Sequence, residues 1–499
     1  MVGIVDETLR DGPQSLWATR MSTGSMLGAT DTIGGSGFRK VCVTSGAAFE
    51  TAVKFLAENP WDRLRLLQTY MPNMSLDVLV RSRNLFGWSH YSDDVVQLVF
   101  RCLRDVGVEW VKIFDGLNDM RNIEAHFRIA RSLGLKSSGI IAFTESPVHT
   151  DEYFVKKARE LVSYDVDSIT LGDASGILTG PRAKSLLAAL RSAVGPGVPI
   201  EFVAHHTMGL AHASYREALI AGVDTVATAS TPLANGESVP STLDVMKIAE
   251  ELGLDTGLDR EAVRCTDDYF YWVAHIENRA VAGPFAFDAE RYRKFIEHQI
   301  PGGMMSNFRN QLLELGLLSR LDEVLEEAGR IRRELGYPIM VTPFSQFVGV
   351  QATMNVIQRE RYRTIPQELR LYVMGRYGAA PAPIDAEVLD RVLGGRTLEE
   401  HSAPEVAFER PMLEEFRRDA GPFRSDEELL LHMFYGREHV EALPARGTDQ
   451  YTRPFVDRPL VALVKELLKE PRLRSVRVQK KSFKLDMTFA SESEAGNEQ

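Results

Sequence analysis

The chain has 499 residues, of which 44% are hydrophobic and 25% charged, and its formal net charge is −11. This composition is typical of a globular protein with a large core, and it lacks the basic footprint that general binding to nucleic-acid phosphates needs. Its three cysteines, Cys42, Cys102 and Cys265, form no Cys-x-x-Cys pair, so we predict neither a disulfide framework nor a thiolate zinc site. Without a signal segment or an apolar run of membrane-spanning length, the sequence predicts a cytoplasmic protein.

The first half of the chain alternates short apolar runs with amphipathic patterns. Unbroken apolar runs are typical of parallel strands buried on both faces. The predicted strands are Gly3–Val5, Val41–Val43, Leu64–Thr69, Trp110–Phe114, Gly139–Phe143, Ser168–Leu171, Pro199–Ala204 and Asp224–Ala227. The predicted helices between them include Ser92–Asp105, Ile123–Leu133, Glu152–Val162, Arg182–Val194 and Ala211–Ala221. This alternation predicts an α/β fold, a (β/α)8 TIM barrel over residues 1–258, with an open doubly wound sheet as the alternative.

A polar side chain follows most of the predicted strands. These residues are Asp6, Thr44, Asp115, Thr144, Asp173, His205 and Thr228. Each of them taken alone is explained as a cap of the next helix. Because the carboxyl ends of barrel strands converge on one mouth, the full set predicts a polar site there.

After residue 258 the alternation of strand and helix patterns ends. Residues 259–485 predict a mainly helical domain that includes a Pro-rich linker, Ala379–Pro383, and an apolar helix, Leu460–Leu468. The segment Val476–Phe489 alternates and is basic on one face, which is typical of a strand with a solvated side. We predict that residues 486–499 form a disordered tail.

The loop after the first strand is the most informative segment. Asp6, Arg10, Asp11 and Gln14 bring a candidate metal ligand, a cation and an amide into one small volume. Grouping such side chains is costly unless the site binds an anion, although a single strand-end Asp is more often a helix cap or turn residue.

Six motifs, taken in chain order, resemble the biotin-dependent carboxyltransferases that act on 2-oxo acids. That family contains the carboxyltransferase domain of pyruvate carboxylase, the alpha subunit of oxaloacetate decarboxylase and the keto-acid-side subunit of transcarboxylase. The motifs are Asp6–Gln14, Asn59–Leu64, Ile113–Asp119, Ser146–Thr150, His298–Met304 and Val341–Gly349. The resemblance implies a barrel followed by a helical, funnel-like carboxyltransferase C-terminal domain, and carboxyl transfer or decarboxylation on a 2-oxo acid of the pyruvate or oxaloacetate type.

The resemblance also implies roles for individual residues. A divalent metal of the Zn, Mn or Co type would polarise the 2-oxo acid, with Asp6 and His205 matching two of its ligands. Gln14 and Arg81 match the side chains that hold the keto acid. Arg10 and Asp11, in the same loop as Gln14, are expected to be catalytic.

Several expected residues at the mouth are replaced. Gly172 stands where the family has a carbamylated metal-binding lysine, and Val203 stands in place of the first metal-binding histidine. Glu237 replaces the threonine that carries a proton between biotin and the enolate, and we expect it to be catalytic as a general base. His206 is an additional imidazole, expected to complete a rebuilt metal site with Asp6 and His205; the alternative is that it lies outside the site.

Three functions therefore remain open. The first is a carboxyltransferase or decarboxylase subunit that works with biotin carboxylase and biotin carrier subunits, the biotin being attached to a separate chain. The second is a metal-dependent C–C lyase or carboxylase with a rebuilt, biotin-independent site. The third is a catalytically deficient partner subunit. In each case we expect a homodimer that binds neither nucleic acid nor a membrane and whose substrate is a small anionic 2-oxo acid or related acyl compound.

Overall fold

In a computed structural model of the protein, residues 1–450 form one compact unit and residues 451–499 a second, and each is described by itself. The structure describes residues 1–301, 318–394, 411–443, 474–480 and 483–488, together with the single positions 305, 312, 313, 316 and 467.

Eight parallel strands close into a barrel, each hydrogen-bonded to its neighbours in chain order, with the first strand also paired to the last. The strands are β1 Gly3–Asp6, β2 Lys40–Ser45, β3 Leu76–Arg81, β4 Trp110–Phe114, β5 Lys136–Ala142, β6 Ser168–Asp173, β7 Ile200–Ala204 and β8 Thr225–Thr228. The predicted TIM barrel is thus confirmed, and the open sheet is excluded because Asp6 pairs with Thr228 and closes the ring.

The predicted third strand is wrong. Leu64–Thr69 lies within a helix, Pro60–Tyr70, whose first turn is set by a proline and by the Asn59 side chain accepting from the Trp61 N–H. Leu64 and Leu67 are the buried face of that helix, a spacing typical of helical periodicity. The true strand, β3, is interrupted in sequence by Asp77, whose side chain is buried among cations inside the barrel.

Helices surround the barrel on the outside. Those of the barrel region are α1 Asp11–Leu16, α2 Thr23–Leu27, α3 Thr30–Gly35, α4 Gly46–Phe55, α5 Pro60–Tyr70, α6 Asp93–Asp105, α7 Glu124–Ser132, α8 Asp151–Ser163, α9 Gly180–Val194, α10 Ala211–Ile220 and α11 Thr242–Glu251. Short 3₁₀ turns occur at Ser82–Asn84, Met120–Asn122 and Thr231–Leu233. The five helices predicted after the third strand are confirmed to within a few residues at each end.

The region after residue 258 is helical wherever it is described up to residue 443, apart from its connecting segments. Its helices are α12 Arg260–Ile276, α13 Ala289–His298, α14 Leu321–Glu334, α15 Phe344–Gln358, α16 Gln367–Val373, α17 Ala386–Leu393, α18 Leu413–Ala420, α19 Asp426–Tyr435 and α20 Arg437–Glu441, with a 3₁₀ turn at Leu318–Arg320. Every described helix is too short or too polar to traverse a bilayer. The domain boundary at residue 258 stays a prediction, and it falls between α11 and α12.

The helical region is attached to the loops at the carboxyl ends of the strands. The Phe344 ring packs so closely on Gly116 that a Cβ there would lie 2.5 Å from Phe344 Cε2. Arg332 donates to Thr144 Oγ1 at 3.0 Å, and Thr144 donates to Gln299 Oε1 at 2.7 Å. The motifs that contain Gly116, Gln299 and Phe344 therefore join the helical region to the barrel.

In the second unit, two strands form an antiparallel pair, β9 Ser475–Lys480 and β10 Phe483–Thr488, with Phe483 opposite Lys480. Strand β10 includes Asp486, the first residue of the predicted tail, and residues 489–499 lie outside the described residues. The predicted helix Leu460–Leu468 also lies outside them, apart from residue 467.

A chain of buried charges fills the inside of the barrel. Lys112 Nζ lies 3.2 Å from Asp77 and 3.4 Å from Glu7, and it donates to Glu201 at 2.5 Å. Lys40 Nζ lies 3.0 Å from Glu201 and 3.3 Å from Asp77. None of these side chains is more than 5% exposed. Burial alone would lower the pKa of Lys112, but the three carboxylates raise it well above its usual range, so this lysine is charged.

We expect Lys112→Met to lower the free energy of unfolding by about 3–5 kcal/mol, because it leaves buried carboxylates without their cation. The control is Lys136→Met on the neighbouring strand, where a half-exposed lysine pairs with Glu109 and the expected loss is about 0–1 kcal/mol. Urea denaturation of both variants measures the difference. Equal losses would show that the buried charges do not stabilise the barrel.

Candidate active site

Three of the seven strand-end polar residues hold loops in place. Asp173 accepts from the Gly176 and Leu178 N–H groups at 2.9 and 2.7 Å, and Asp115 accepts from the Leu117 and Asp119 N–H groups at 2.9 and 3.0 Å. Thr228 bonds to another threonine on the first turn of α11. None of the three caps the next helix, because the N-caps there are Asp119, Thr179 and Ser241; they fix loops instead, and the chemistry of the mouth rests on fewer side chains.

Asp11 and His205 form the central pair of the mouth. His205 Nε2 lies 3.1 Å from Asp11 Oδ1, although the two residues are far apart in sequence. The other carboxylate oxygen of Asp11 accepts from Ser238 Oγ at 2.9 Å. Asp11 can reach His205 because α1 begins at Asp11 and turns the chain back over the barrel, whereas His205 directly follows β7.

The charges of this pair reinforce each other. Burial alone would raise the pKa of Asp11, but His205 and Arg10 outweigh it and hold that pKa well below its usual range. Burial likewise would lower the pKa of His205, but the Asp11 carboxylate outweighs it and raises that pKa. The favoured state is an ionised carboxylate beside an imidazolium. Since the His205 side chain is 17% exposed and that of Asp11 only 2%, the imidazolium is the member that a substrate can reach.

Arg10 fixes Asp11 from the other side. Its Nη1 donates to Asp11 Oδ1 at 2.9 Å, and its Nε and Nη2 both bond to Glu7 Oε2, at 2.8 and 2.6 Å. Burial would lower the pKa of Arg10, but the two carboxylates raise it beyond its usual range. With a side chain only 9% exposed and all these contacts made to protein, Arg10 acts on Asp11 as a positioning residue.

Glu237 lies on the loop after β8 and is partly buried near the same pair. Asn235 and Gly236 before it both have positive φ, 63° and 55°, and the Ser238 N–H closes the turn on the Asn235 carbonyl at 2.9 Å. A Cβ at Gly236 would lie 2.8 Å from Ala282, so glycine is required for both conformation and space. Burial raises the pKa of Glu237, and the nearby charges of His205 and Arg291 only partly oppose it.

Gln14 and Arg81 lie on neighbouring parts of the rim. Gln14 Oε1 accepts from Ser45 Oγ at 2.7 Å, which fixes the side-chain amide. Arg81 ends β3, donates from Nη2 to the Gly87 carbonyl at 2.6 Å, and stacks on the Trp88 ring with 4.6 Å between its Cζ and the ring centroid. The Arg81 Nε is buried without a hydrogen-bond partner, and burial lowers the pKa of the Arg81 guanidinium. Among the described residues, no carboxylate forms an ion pair with Arg81.

Asp6 is not the carboxylate that contacts His205. Its Oδ1 accepts from Thr8 Oγ1, and Thr8 in turn accepts from the Ser230 N–H at 2.8 Å. Its Oδ2 is buried without a partner, and burial raises the pKa of Asp6 to about 7. Asp6 is therefore held on the side of the loop after β8, while Asp11 takes the place beside the histidine.

His206 turns away from the pair. Strand β7 ends at Ala204, and the His206 N–H bonds to the Ser238 carbonyl at 2.8 Å. The His206 ring lies against that of His212 of α10, tilted by 39° with 4.5 Å between the centroids. Burial lowers the pKa of His206 to about 4, so the ring is neutral. The sequence pattern could not settle this direction, because it depends on how the chain leaves the strand.

The side chains present do not fit the metal that the resemblance implies. Gly172 and Val203 are register partners on β6 and β7, where they supply no ligand; Val203 packs on the small apolar cluster of Ala229, Ala234 and Val239. Across the described part of the chain, no three His, Cys, Asp or Glu side chains are grouped so that they could hold a metal ion. The predicted set of Asp6, His205 and His206 is therefore not brought together.

Residues that sequence reasoning did not single out complete the site. Ser238 holds Asp11, Ser45 holds Gln14, and Glu7 holds Arg10. A signal existed for Ser238, which opens the Ser-x-Pro motif directly after Glu237. Nothing in the sequence distinguishes Ser45 or Glu7, because their partners come from other parts of the chain or from the folded loop.

Two family profiles match the chain. One, described as a conserved carboxylase domain, covers residues 295–482, and one described as HMGL-like covers residues 115–269. Together they span part of the barrel and most of the region after it.

Characterised relatives match over most of the chain. A pyruvate carboxylase subunit from Methanocaldococcus jannaschii is 37% identical, over 89% of this chain and 78% of that protein. The 2-oxoglutarate carboxylase large subunit of Hydrogenobacter thermophilus is 34% identical, over 91% and 70% respectively. The methylmalonyl-CoA carboxyltransferase 5S subunit of Propionibacterium freudenreichii subsp. shermanii is 35% identical, over 82% and 79%.

Solved structures agree with the sequence matches. The carboxyl transferase domain of Rhizobium etli pyruvate carboxylase, determined with pyruvate, superposes with a TM-score of 0.79 at 27% identity, over 90% of this chain and 78% of that one. A second structure of the same domain, with pyruvate and biocytin, gives the same TM-score at 26% identity. The barrel, the attached helical region and the identities above place this chain in the family of biotin-dependent carboxyltransferases, as a carboxyltransferase subunit.

Proposed function

We propose that this carboxyltransferase subunit acts on a small 2-oxo acid, which Arg81 and Gln14 bind at the barrel mouth. The observation that carries the proposal is the partly buried Arg81 side chain, whose Nε is buried without a hydrogen-bond partner and which forms no ion pair with a carboxylate among the described residues. The charge of Glu50 acts on Arg81 without forming an ion pair, so a ligand carboxylate would further stabilise this partly desolvated cation, and a planar carboxylate matches a guanidinium well. The fixed amide of Gln14 adds a neutral hydrogen-bonding group for the rest of a small ligand.

The same residues and the relatives support a size and a class for the substrate. Two of the relatives are named for 2-oxo acids, pyruvate and 2-oxoglutarate. Trp88 covers one face of the Arg81 guanidinium and is itself fixed by a hydrogen bond to Glu50 at 3.0 Å. One guanidinium limited in this way is suited to one carboxylate, which favours a compact monoanionic 2-oxo acid.

The partners follow from the family. We infer that the carboxyl group arrives on biotin attached to a separate carrier chain, loaded by a biotin carboxylase subunit, and that the protein is a cytoplasmic homodimer without a nucleic-acid partner. The relative from Methanocaldococcus jannaschii is named as a subunit, which supports an assembly of several chains. A divalent metal enters no step of this proposal, because the donor set of the described mouth does not fit one.

We expect Arg81→Ala to weaken pyruvate binding by at least about tenfold, or 1.4 kcal/mol, because it removes the only rim cation assigned to the substrate. Isothermal titration calorimetry measures the affinity, and thermal denaturation checks that the variant is folded. The control is Arg101→Ala, an exposed arginine paired with Asp426, which should leave binding unchanged. Unchanged affinity in Arg81→Ala would contradict the proposed substrate site.

A second measurement separates biotin-dependent from biotin-independent chemistry. We expect decarboxylation of oxaloacetate by the purified protein to require an added biotin carrier protein, because the carboxyl group needs an acceptor. A coupled assay for pyruvate follows the reaction with and without the carrier. Equal rates in both samples would favour the biotin-independent lyase, and no reaction in either, with pyruvate bound, would favour a catalytically deficient partner subunit.

A further inference from the structure

The barrel mouth holds a complete set of proton donors and acceptors that the proposed substrate site does not use. Asp11 and His205 are bonded to each other, and Glu237 lies close enough for its charge to act on His205. These residues lie on the loops after β1, β7 and β8, which are neighbours around the closed barrel. The three side chains therefore lie on one side of the barrel mouth.

Asp11 is already fully engaged by protein groups. Its Oδ1 is bonded to His205 Nε2 and Arg10 Nη1, and its Oδ2 to Ser238 Oγ at 2.9 Å, with Ser15 Oγ at 3.4 Å. A cation at Asp11 would have to break these bonds and would lie beside Arg10, a permanent positive charge. The geometry thus assigns Asp11 to His205.

The surroundings of the pair agree with this assignment. The positions that would supply further ligands hold Gly172 and Val203, and a Cβ at Gly172 would already lie 3.3 Å from Ile140 Cγ2. Neither position supplies a side chain that could bind a metal ion. A rigid, buried carboxylate that orients an accessible imidazole is instead the arrangement of an acid–base or hydrogen-bond catalyst.

Glu237 is placed differently from Asp11. It is partly buried and lies on a turn held by Asn235, Gly236 and the Ser238 N–H, without a protein hydrogen bond to its carboxylate among the described contacts. Burial raises the pKa of Glu237 and the nearby charges of His205 and Arg291 only partly oppose the rise, which suits a group that takes up and gives back a proton. A carboxylate can accept and return a proton, as a threonine hydroxyl at this position would.

We propose that Glu237 and His205 carry out the proton and charge chemistry of carboxyl transfer without a bound metal ion. Glu237 moves the proton between the 2-oxo acid and biotin, and His205, which Asp11 holds through Nε2 at 3.1 Å, donates from its other ring nitrogen to the enolate oxygen. Asp11, Arg10 and Ser238 are positioning residues for His205. The inference rests on the proposed function, since it needs a 2-oxo acid held by Arg81.

The steps balance without an oxidant or a reductant. Glu237 removes a proton from the carbon beside the ketone, and the electrons of that C–H bond form the C=C bond of an enolate, whose oxygen accepts from His205. As the N–C bond of the carboxylated biotin breaks, Glu237 returns the proton to the ureido group of biotin, which is the second substrate. The enolate carbon then bonds to the released CO2 and the ketone re-forms, so Glu237 ends as the carboxylate it was.

The test follows the first step alone, as exchange of the methyl protons of pyruvate for deuterium, observed by NMR in D2O without biotin. We expect the full chain to catalyse exchange at a rate that chelator treatment changes by less than about twofold, with far less than one metal ion per chain. Glu237→Gln should slow exchange by about 10²–10⁴-fold, the usual contribution of a general acid–base, without a comparable loss of pyruvate affinity. Glu237→Asp should recover part of the rate.

A matched control comes from the same rim. Glu145→Gln removes a partly buried carboxylate that lies 3.6 Å from Arg182 on the β5 side, and it should leave exchange unchanged. Loss of exchange on chelation with recovery on adding Zn²⁺, Mn²⁺ or Co²⁺ would overturn the inference, as would full activity in Glu237→Gln or no exchange in a full chain that binds pyruvate. Failure to bind pyruvate at all would instead reject the proposed function, and the inference with it.

Discussion

The site depends on a continuous line of buried charges that runs up the inside of the barrel. It begins with Lys40, passes through Lys112 and Glu7, and reaches Arg10 and then Asp11. Each member is nearly inaccessible to water, and a buried charge is tolerated only when its neighbours have the opposite sign. The orientation of the uppermost residues is therefore set by residues deep in the barrel.

The net charge of this line of residues favours the protonated form of His205. Its carboxylates are Glu7, Asp11, Asp77 and Glu201, and its permanent cations are Lys40, Lys112 and Arg10. Four negative charges face three positive ones, so one further positive charge at the upper end completes the balance. His205 is the titratable group in contact with that end, and its raised pKa agrees with the imidazolium form.

Much of the fold could be predicted from the sequence, because unbroken apolar runs are a direct consequence of burial on both faces. The prediction failed at the third strand, where the run in Leu64–Thr69 belongs to a helix and the true strand carries a buried Asp77. At the site, Asp6 and Asp11 look equivalent in sequence, since both follow the first strand within one short segment. Only the start of a helix at Asp11 decides which carboxylate faces His205.

The pattern of departures from the family is consistent with one coordinated change. Gly172 and Val203 stand where the resemblance implies side chains that bind a cation, while Arg10 and Ser238, which lie in matching motifs, hold Asp11 against an imidazole. Arg81 and Gln14 match the resemblance and lie at the rim, where Arg81 contacts Gly87 and Gln14 contacts Ser45. In the proposed site, substrate binding and charge stabilisation thus rest on different residues, and only the second set differs from what the resemblance implies.

The most direct measurement is the protonation state of His205, read from the ¹⁵N chemical shifts of its ring in histidine-labelled protein. The His205→Gln variant assigns the signals. At pH 7.5, about one unit above the usual histidine pKa, the account predicts that both ring nitrogens carry protons, because Asp11 stabilises the cation. A neutral ring at that pH, or shifts typical of a metal-bound nitrogen, would contradict it.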